Sequence, residues 1–286
     1  MKKRNPLIAG VFSLFCPGLG QIYNAQHSFG FLVFIIFIIS NWLATLNNFF
    51  IFIIFLFAQG LIWLFSITYS IVRAIRYKEI QLTKFNKFYL YSIMIIVVLL
   101  SNFLATSNIK YETFNVTGGA MKPTLLVDDY IFVKKNYYLN NEVKYGDLII
   151  LKTKNDASFV ERVIGLPGDN IQIVNGEILL NNKLINRVKT KDFIELDNSK
   201  RVRKFKEKLF DIEYEVLDLM DNSMVDNTPV YKVPNNHYFV MGDNRDNSAD
   251  SRILDSIGFI PNNNILHKVY LIYWAKDKSR IGVYPK

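Results

Sequence analysis

The 286 residues are 50% hydrophobic and 15% aromatic, enough for one ordinary domain and a second, apolar region. Residues 1–106 carry Lys2, Lys3, Arg4, Arg73, Arg76, Lys78, Lys84 and Lys87 against the single acid Glu79, so most of the net charge of +9 sits beside apolar runs. That placement marks membrane flanks and argues against a nucleic-acid binder, and one cysteine with three histidines argues against a disulfide framework and a His/Cys zinc centre.

Four apolar stretches come first in the chain: Leu7–Tyr23, Gly30–Leu46, Phe49–Val72 and Phe88–Ala105. A spanning helix needs about 20 apolar residues, so the third and fourth qualify and the second is near the limit. The first is interrupted by Pro17-Gly18 and Gly20 and lacks the small-residue cleavage site of a signal peptide. Its small residues permit close helix contact, and Cys16 before Pro17 reads as a buried, inert thiol. Lys2–Arg4 and the basic segment Arg73–Lys87 belong on the cytoplasmic side, which requires an even number of spans between them. The simplest solution has Leu7–Tyr23 re-entrant or interfacial and three spans after it; four spans would put one basic cluster outside. Residues 1–106 thus read as a membrane domain and 107–286 as an extracytoplasmic one.

From Tyr111 the pattern changes to short strands separated by turn residues. YIFV, DLIILK, NIQIV, EILL, HYFVMG and KVYLIYW fit strands. Asn175-Gly176 suits a tight hairpin, because both residues tolerate positive φ, and Asn181-Asn182 suggests another turn. Residues 189–227 are highly charged with little strand pattern, and read as an insertion, partly helical or mobile. The expected fold is a set of N-terminal transmembrane α-helices plus a mostly antiparallel β domain with Greek-key or barrel-like packing.

Three segments resemble bacterial signal peptidase I, a membrane-bound Ser–Lys serine protease family. Val116-Thr117-Gly118-Gly119-Ala120-Met121-Lys122-Pro123-Thr124-Leu125 is similar to its P-S-x-S-M-x-P-T-L box. Tyr145-Gly146-Asp147-Leu148-Ile149 and Glu161-Arg162-Val163-Ile164-Gly165-Leu166-Pro167-Gly168-Asp169 are similar to its G-D strand and K-R-x-[IV]-G-L-P-G-D box. Residues 241–252, MGDNRDNSADSR, are similar almost letter for letter to its G-D-N-R-D-N-S-x-D-S-R signature. The resemblance covers about residues 111–275 and implies a signal peptidase I type β domain, removal of signal peptides from exported preproteins, no cofactor or metal, and a multi-pass place in the bacterial cytoplasmic membrane. In the family's mechanism a serine attacks the scissile carbonyl, a neutral, desolvated lysine takes its proton, and a second serine hydroxyl helps hold the oxyanion.

The resemblance puts those three roles on Ala120 (nucleophile), Glu161 (base) and Gly118 (oxyanion), so all three functional side chains are replaced. Their neighbours Met121, Pro123, Thr124, Arg162, Asp243, Ser248, Asp250 and Arg252 match the family. Asp250 and Arg252 are expected to pair as a brace, with Asp243 beside them, and Ser248 to contact the base position. Arg162 should point away from Glu161 by strand alternation. Thr117, Ser158, Lys122, Lys152 and Lys154 are weak substitutes, better read as surface residues: Ser158 lies in a polar loop, and Lys122 should point to the opposite face. Val116, Leu125, Leu126, Ile131 and Phe132 are candidates for an apolar groove or simply for the core; Phe114, Tyr130 and Phe132 are candidates for a membrane-resting edge. The expectation is a silent homologue whose partners are signal peptides or an active paralogue, together with the bilayer. The alternatives are an active enzyme with a relocated nucleophile and base, and a non-enzymatic assembly or scaffold protein.

Overall fold

The computed structural model describes residues 2–44, 49–81, 85–107, 110–153, 157–195 and 200–286. Leu46, Lys84, Lys154 and residues 196–199 of the charged segment lie outside the described residues. The chain divides into two compact units, Met1–Lys110 and Tyr111–Lys286.

The first unit holds β1 (Lys2–Lys3), α1 (Pro6–Phe15), α2 (Leu19–Tyr23), α3 (His27–Leu43), α4 (Phe49–Arg76), β2 (Glu79–Ile80) and α5 (Phe88–Ser107). Helix α1 begins where Asn5 accepts from the Leu7 N–H at 2.8 Å and Pro6 sets the first turn. It stops at Cys16-Pro17, and Gly18 reverses the chain with φ +94°. Helix α2 then returns along α1: the Asn5 N–H donates to the Tyr23 hydroxyl at 3.2 Å, and a Cβ at Gly20 would sit 2.3 Å from the Ala9 carbonyl oxygen. The pair is a helical hairpin about 15 Å long, roughly half the thickness of a bilayer's hydrocarbon core. Buried hydroxyls and amides fasten it to α4. Gln21 donates to the Ser66 carbonyl at 3.0 Å, Asn24 to the Ser70 carbonyl at 2.8 Å, and Ser13 meets Ser70 at 3.1 Å.

Helices α3 and α4 are antiparallel, with Gln26 on Tyr69 at 3.1 Å, Phe37 stacked on Trp63, and Gln59 on Asn41 at 3.1 Å. Helix α5 runs alongside α3 in the same direction: Asn86 reaches the Ile22 carbonyl at one end, and Asn41 reaches Ser101 and Asn102 at the other. Ile51–Arg76 and Phe88–Ala105 are long and apolar enough to cross a membrane; α3, at 17 residues, is shorter. Side chains such as Phe57, Leu64, Leu99 and Phe103 face outward, as lipid contact requires.

The second unit is built from β3 (Tyr111–Asn115), β4 (Tyr130–Lys135), β5 (Leu148–Lys152), β6 (Ser158–Gly165), β7 (Asn170–Val174), β8 (Glu177–Leu180), β9 (Lys183–Leu184), β10 (Asn186–Lys189), β11 (Phe193–Ile194), β12 (Arg201–Leu209), β13 (Ile212–Asp218), β14 (Tyr231–Lys232), β15 (His237–Met241), β16 (Ile260–Pro261) and β17 (Ile265–Trp274). An antiparallel sheet in the order β16-β15-β6-β5-β17-β4-β3 carries the site; β14-β7-β8-β9 forms a second sheet, and β12 is flanked by β10, β11 and β13 in a third. Every strand read from the sequence is present. The β7–β8 turn has φ of 51° at Asn175 and 78° at Gly176, and Asn181 and Asn182 also take positive φ. The N-terminal apolar helices and the mostly antiparallel β architecture are those expected.

Residues 189–227 depart from the expectation of a partly helical or mobile insertion. Their described part holds a β-hairpin, β12–β13, paired from Arg203↔Asp218 to Leu209↔Ile212. Leu209, Tyr214 and Val216 on it are buried in the same core as Ile164, Ile171 and Phe239. Charge hid the strands: Lys204 pairs with Glu215 and Lys206 with Glu213, so the solvent face is held by cross-strand ion pairs. Ser158 likewise begins strand β6 rather than lying in a loop.

Candidate active site

Ala120 sits in the turn between β3 and β4, where it and Gly119 are held by one residue of the signature segment. The Asn244 backbone N–H donates to the Ala120 carbonyl at 2.8 Å, and the Asn244 side-chain amide donates to the Gly119 carbonyl at 2.9 Å. Gly242 lets the two segments meet. A Cβ there would lie 2.7 Å from the Ala120 carbonyl oxygen and 2.4 Å from the Ser248 hydroxyl. Ser248 in turn donates to Glu161 at 3.3 Å. The structure therefore brings Ala120, Ser248 and Glu161 into one chain of contacts through Gly242. Gly118 is exposed, and a Cβ added to it would meet nothing within 4 Å.

Glu161 and Arg162 follow each other on β6, and both are fully buried, on opposite faces. Arg162 lies on the braced side. Its Nε and Nη2 grip Asp243 at 2.7 and 2.6 Å, its guanidinium lies 4.0 Å from the Tyr214 ring centre, and Thr124 donates to the same Asp243 carboxylate. Thr124 thus ties the Ala120 turn to a fixed ion pair. Glu161 faces Ser248. Its burial, then the nearby Asp250 and Asp243 carboxylates, hold its carboxyl well above the ordinary carboxylate range, with Ser248 and Arg252 pulling the other way. Asp250 and Arg252 pair by two hydrogen bonds, at 2.8 and 2.7 Å, and Asp250 also accepts from the Gly242 N–H at 3.1 Å.

Other expected residues fall elsewhere. Met121 and Pro123 are buried and support the turn. Lys122 is partly exposed. It pairs with Glu195 at 3.1 Å, and its side chain runs 3.5 Å from the Cβ position of Gly119. Residues 119–125 form turns rather than a strand, so alternation does not apply to them. Thr117 and Ser158 are exposed, and Lys152 is half-buried beside a separate cavity lined by Pro234, His237 and Phe259. Val116, Leu125 and Ile131 are core residues, not groove lining. Leu126 and Phe132 are only partly buried, and Phe132 stacks on Tyr273 at 4.3 Å. Phe114 packs against that core, whereas Tyr130 stands at the surface against Trp274.

Three contributors were not singled out in the sequence. Asn244 and Gly242 lie inside the signature segment, but nothing in residue type alone reveals a double hydrogen bond or a close approach. Glu207 on β12 forms a buried bidentate pair with Arg245 of the signature segment and accepts from the Tyr214 hydroxyl at 2.9 Å. Leu217 of β13 also donates to the Asp243 carbonyl at 2.8 Å. The inserted hairpin is part of the scaffold of this site. Among the described residues, no group of three or more His, Cys, Asp or Glu side chains is placed to hold a metal ion.

Signal peptidase I of Rickettsia typhi is 35% identical over 193 residues, which cover 57% of this chain and 72% of that protein. Signal peptidase I of Rickettsia felis is 35% identical over 196 residues, covering 58% and 72%. A solved signal peptidase I from Enterococcus faecalis V583 aligns over 45% of this chain and 97% of its own at 18% identity, with a TM-score of 0.28. The family model for signal peptidase, peptidase S26, matches residues 87–274, the span that contains α5 and all the strands around Ala120, Glu161 and the signature segment, and this chain belongs to that family.

Proposed function

We propose that this chain is a catalytically silent signal peptidase homologue that holds signal-peptide segments of exported preproteins without cutting them, alone or together with an active paralogue. The observation that carries this is the Ala120–Ser248–Glu161 arrangement. A methyl group stands at the nucleophile position, and the carboxyl at the base position, enclosed beside Asp250 and Asp243, is held above the ordinary carboxylate range. The neutral form that this enclosure favours cannot accept the proton of an attacking hydroxyl such as that of Ser248. This counts against a relocated serine–carboxylate pair. The retained braces, Arg162–Asp243 and Asp250–Arg252, support a site kept in shape for binding.

The membrane arrangement we propose has three spans, α3, α4 and α5, with α1–α2 re-entrant. The β1–β2 ladder supports it, because it joins the two basic segments at one end of the helical unit, as an even number of intervening spans requires. That end is cytoplasmic and the β unit lies across the membrane, in the bacterial cytoplasmic membrane. The test is cleavage of a labelled preprotein by the purified full chain, with Ala120→Ser/Glu161→Lys alongside and Gly118→Ser added in a third sample. Silent wild type and measurable cutting by a repaired variant is the expected result. Cutting by wild type would overturn the reading.

A further inference from the structure

The β1–β2 ladder does more than join two segments. Pairing of Lys2 with Ile80 and Lys3 with Glu79, and donation from the Arg4 N–H to the Lys78 carbonyl at 2.8 Å, gather Lys2, Lys3, Arg4, Arg73, Arg76, Lys78 and Lys87 at one end of the helical unit. Glu79 is the one acid among them. Tyrosines are interleaved with these cations: the Arg4 guanidinium lies 4.3 Å from the Tyr23 ring centre, Arg73 lies 3.6 Å from Tyr77, and Lys87 lies 5.9 Å from Tyr89. Ring stacking holds a guanidinium by its face and leaves its N–H edge to select a partner.

Arg4 is the distinctive member. Its Nε and Nη2 are shielded from solvent and meet no hydrogen-bond acceptor among the described residues. These two atoms form the same edge with which Arg162 grips Asp243. Turned outward from the Tyr23 ring, that unpaired edge fits an anion with two oxygens side by side, a carboxylate or a phosphodiester. The described part of the chain brings no carboxylate to it. The depth identifies the source: α1 starts at Pro6, α4 ends at Arg76 and α5 starts at Phe88, so the patch lies where the apolar helices stop, at the level of lipid phosphates. The surplus of cations selects lipids of net negative charge over zwitterionic ones.

We propose that this basic end is a binding surface for an anionic phospholipid, whose phosphodiester is clasped by the side-on edge of Arg4 and surrounded by Lys2, Lys3, Lys78, Arg73 and Arg76. The reading is independent of what happens at Ala120.

The test uses the purified full chain in neutral detergent, titrated with phosphatidylglycerol or phosphatidylcholine and read by native mass spectrometry. Phosphatidylglycerol is expected to bind about tenfold more tightly than phosphatidylcholine, with the preference shrinking as salt rises. Arg4→Gln is expected to weaken phosphatidylglycerol by about fivefold or more and leave phosphatidylcholine unchanged, with Arg4→Lys between them, because an ammonium keeps the charge but not the paired edge. Helical circular dichroism checks that each variant folds. If Arg4→Gln does not fold, the lipid preference of wild type and its salt dependence decide. Equal binding of the two lipids, a preference untouched by Arg4→Gln, or displacement of phosphatidylglycerol by millimolar inorganic phosphate would each overturn the proposal, the last by making the site one for free anions.

Discussion

Glu161 is a carboxyl enclosed on β6 with two further carboxylates, Asp250 and Asp243, as neighbours. Its ionisation is opposed in the folded chain and unopposed in the unfolded one, where the ordinary value is 4.5. The folded chain therefore keeps a proton that the unfolded chain has released. Stability is lost as pH rises above that value toward the folded one, at up to about 1.4 kcal/mol per pH unit. Glu161→Gln removes the titration, so denaturant unfolding of the two proteins at about pH 5 and pH 8 should show a smaller loss across the interval in the variant. Equal losses would mean that the carboxyl is ionised in the fold. Ala120 and Glu161 were legible because both sit inside strongly patterned boxes at fixed offsets. Less legible was the raised proton affinity of Glu161, because Asp250 and Asp243, which add to it, come from a distant segment of the chain.

Hairpin β12–β13 shows how an element can be hidden by its own charge. Ile212, Tyr214 and Val216 keep the period of two that marks a strand, but β12 carries a lysine or arginine at most positions and turns a glutamate inward. That glutamate, Glu207, is accommodated only because Arg245 arrives from far along the sequence. Removing one partner of such a pair leaves the other charge buried alone, so Glu207→Ala should cost about 3–5 kcal/mol. Arg245→Ala should cost a similar amount, and the double variant clearly less than the sum of the two. A denaturant double-mutant cycle measures this. Additive losses would show that the pair does not couple the hairpin to the signature segment. The hairpins that were legible, β7–β8 above all, announce themselves through local turn residues, whereas β12–β13 is specified by a partner outside itself.

At the scale of the molecule, each unit has its own buried core: Cys16, Leu19, Ile22, Phe37, Met94 and Val98 in the helical unit, and three clusters in the β unit. Units with separate cores are expected to unfold as separate cooperative transitions. Gly20 offers a clean probe, since a Cβ there would lie 2.3 Å from both the Ala9 carbonyl oxygen and the Ser13 hydroxyl. Gly20→Ala should destabilise the helical unit by about 1–3 kcal/mol, visible as an earlier loss of helical circular dichroism, with the unfolding of the β unit unmoved. A common shift of both transitions would show that the two do not melt independently. The family model begins at residue 87, so the sequence boxes spoke for the β unit and were silent about the hairpin α1–α2, whose fit depends on glycines touching backbone rather than on any motif.

The β1–β2 ladder carries a last consequence, for the order in which the protein is made. Lys3 cannot meet its partner until Glu79 has been synthesised and both α3 and α4 lie behind it. Until then the basic N-terminal strand has no partner strand. Closing the ladder joins the segments that flank α1 and α4, and in the three-span arrangement proposed above it marks the completed insertion of everything between them.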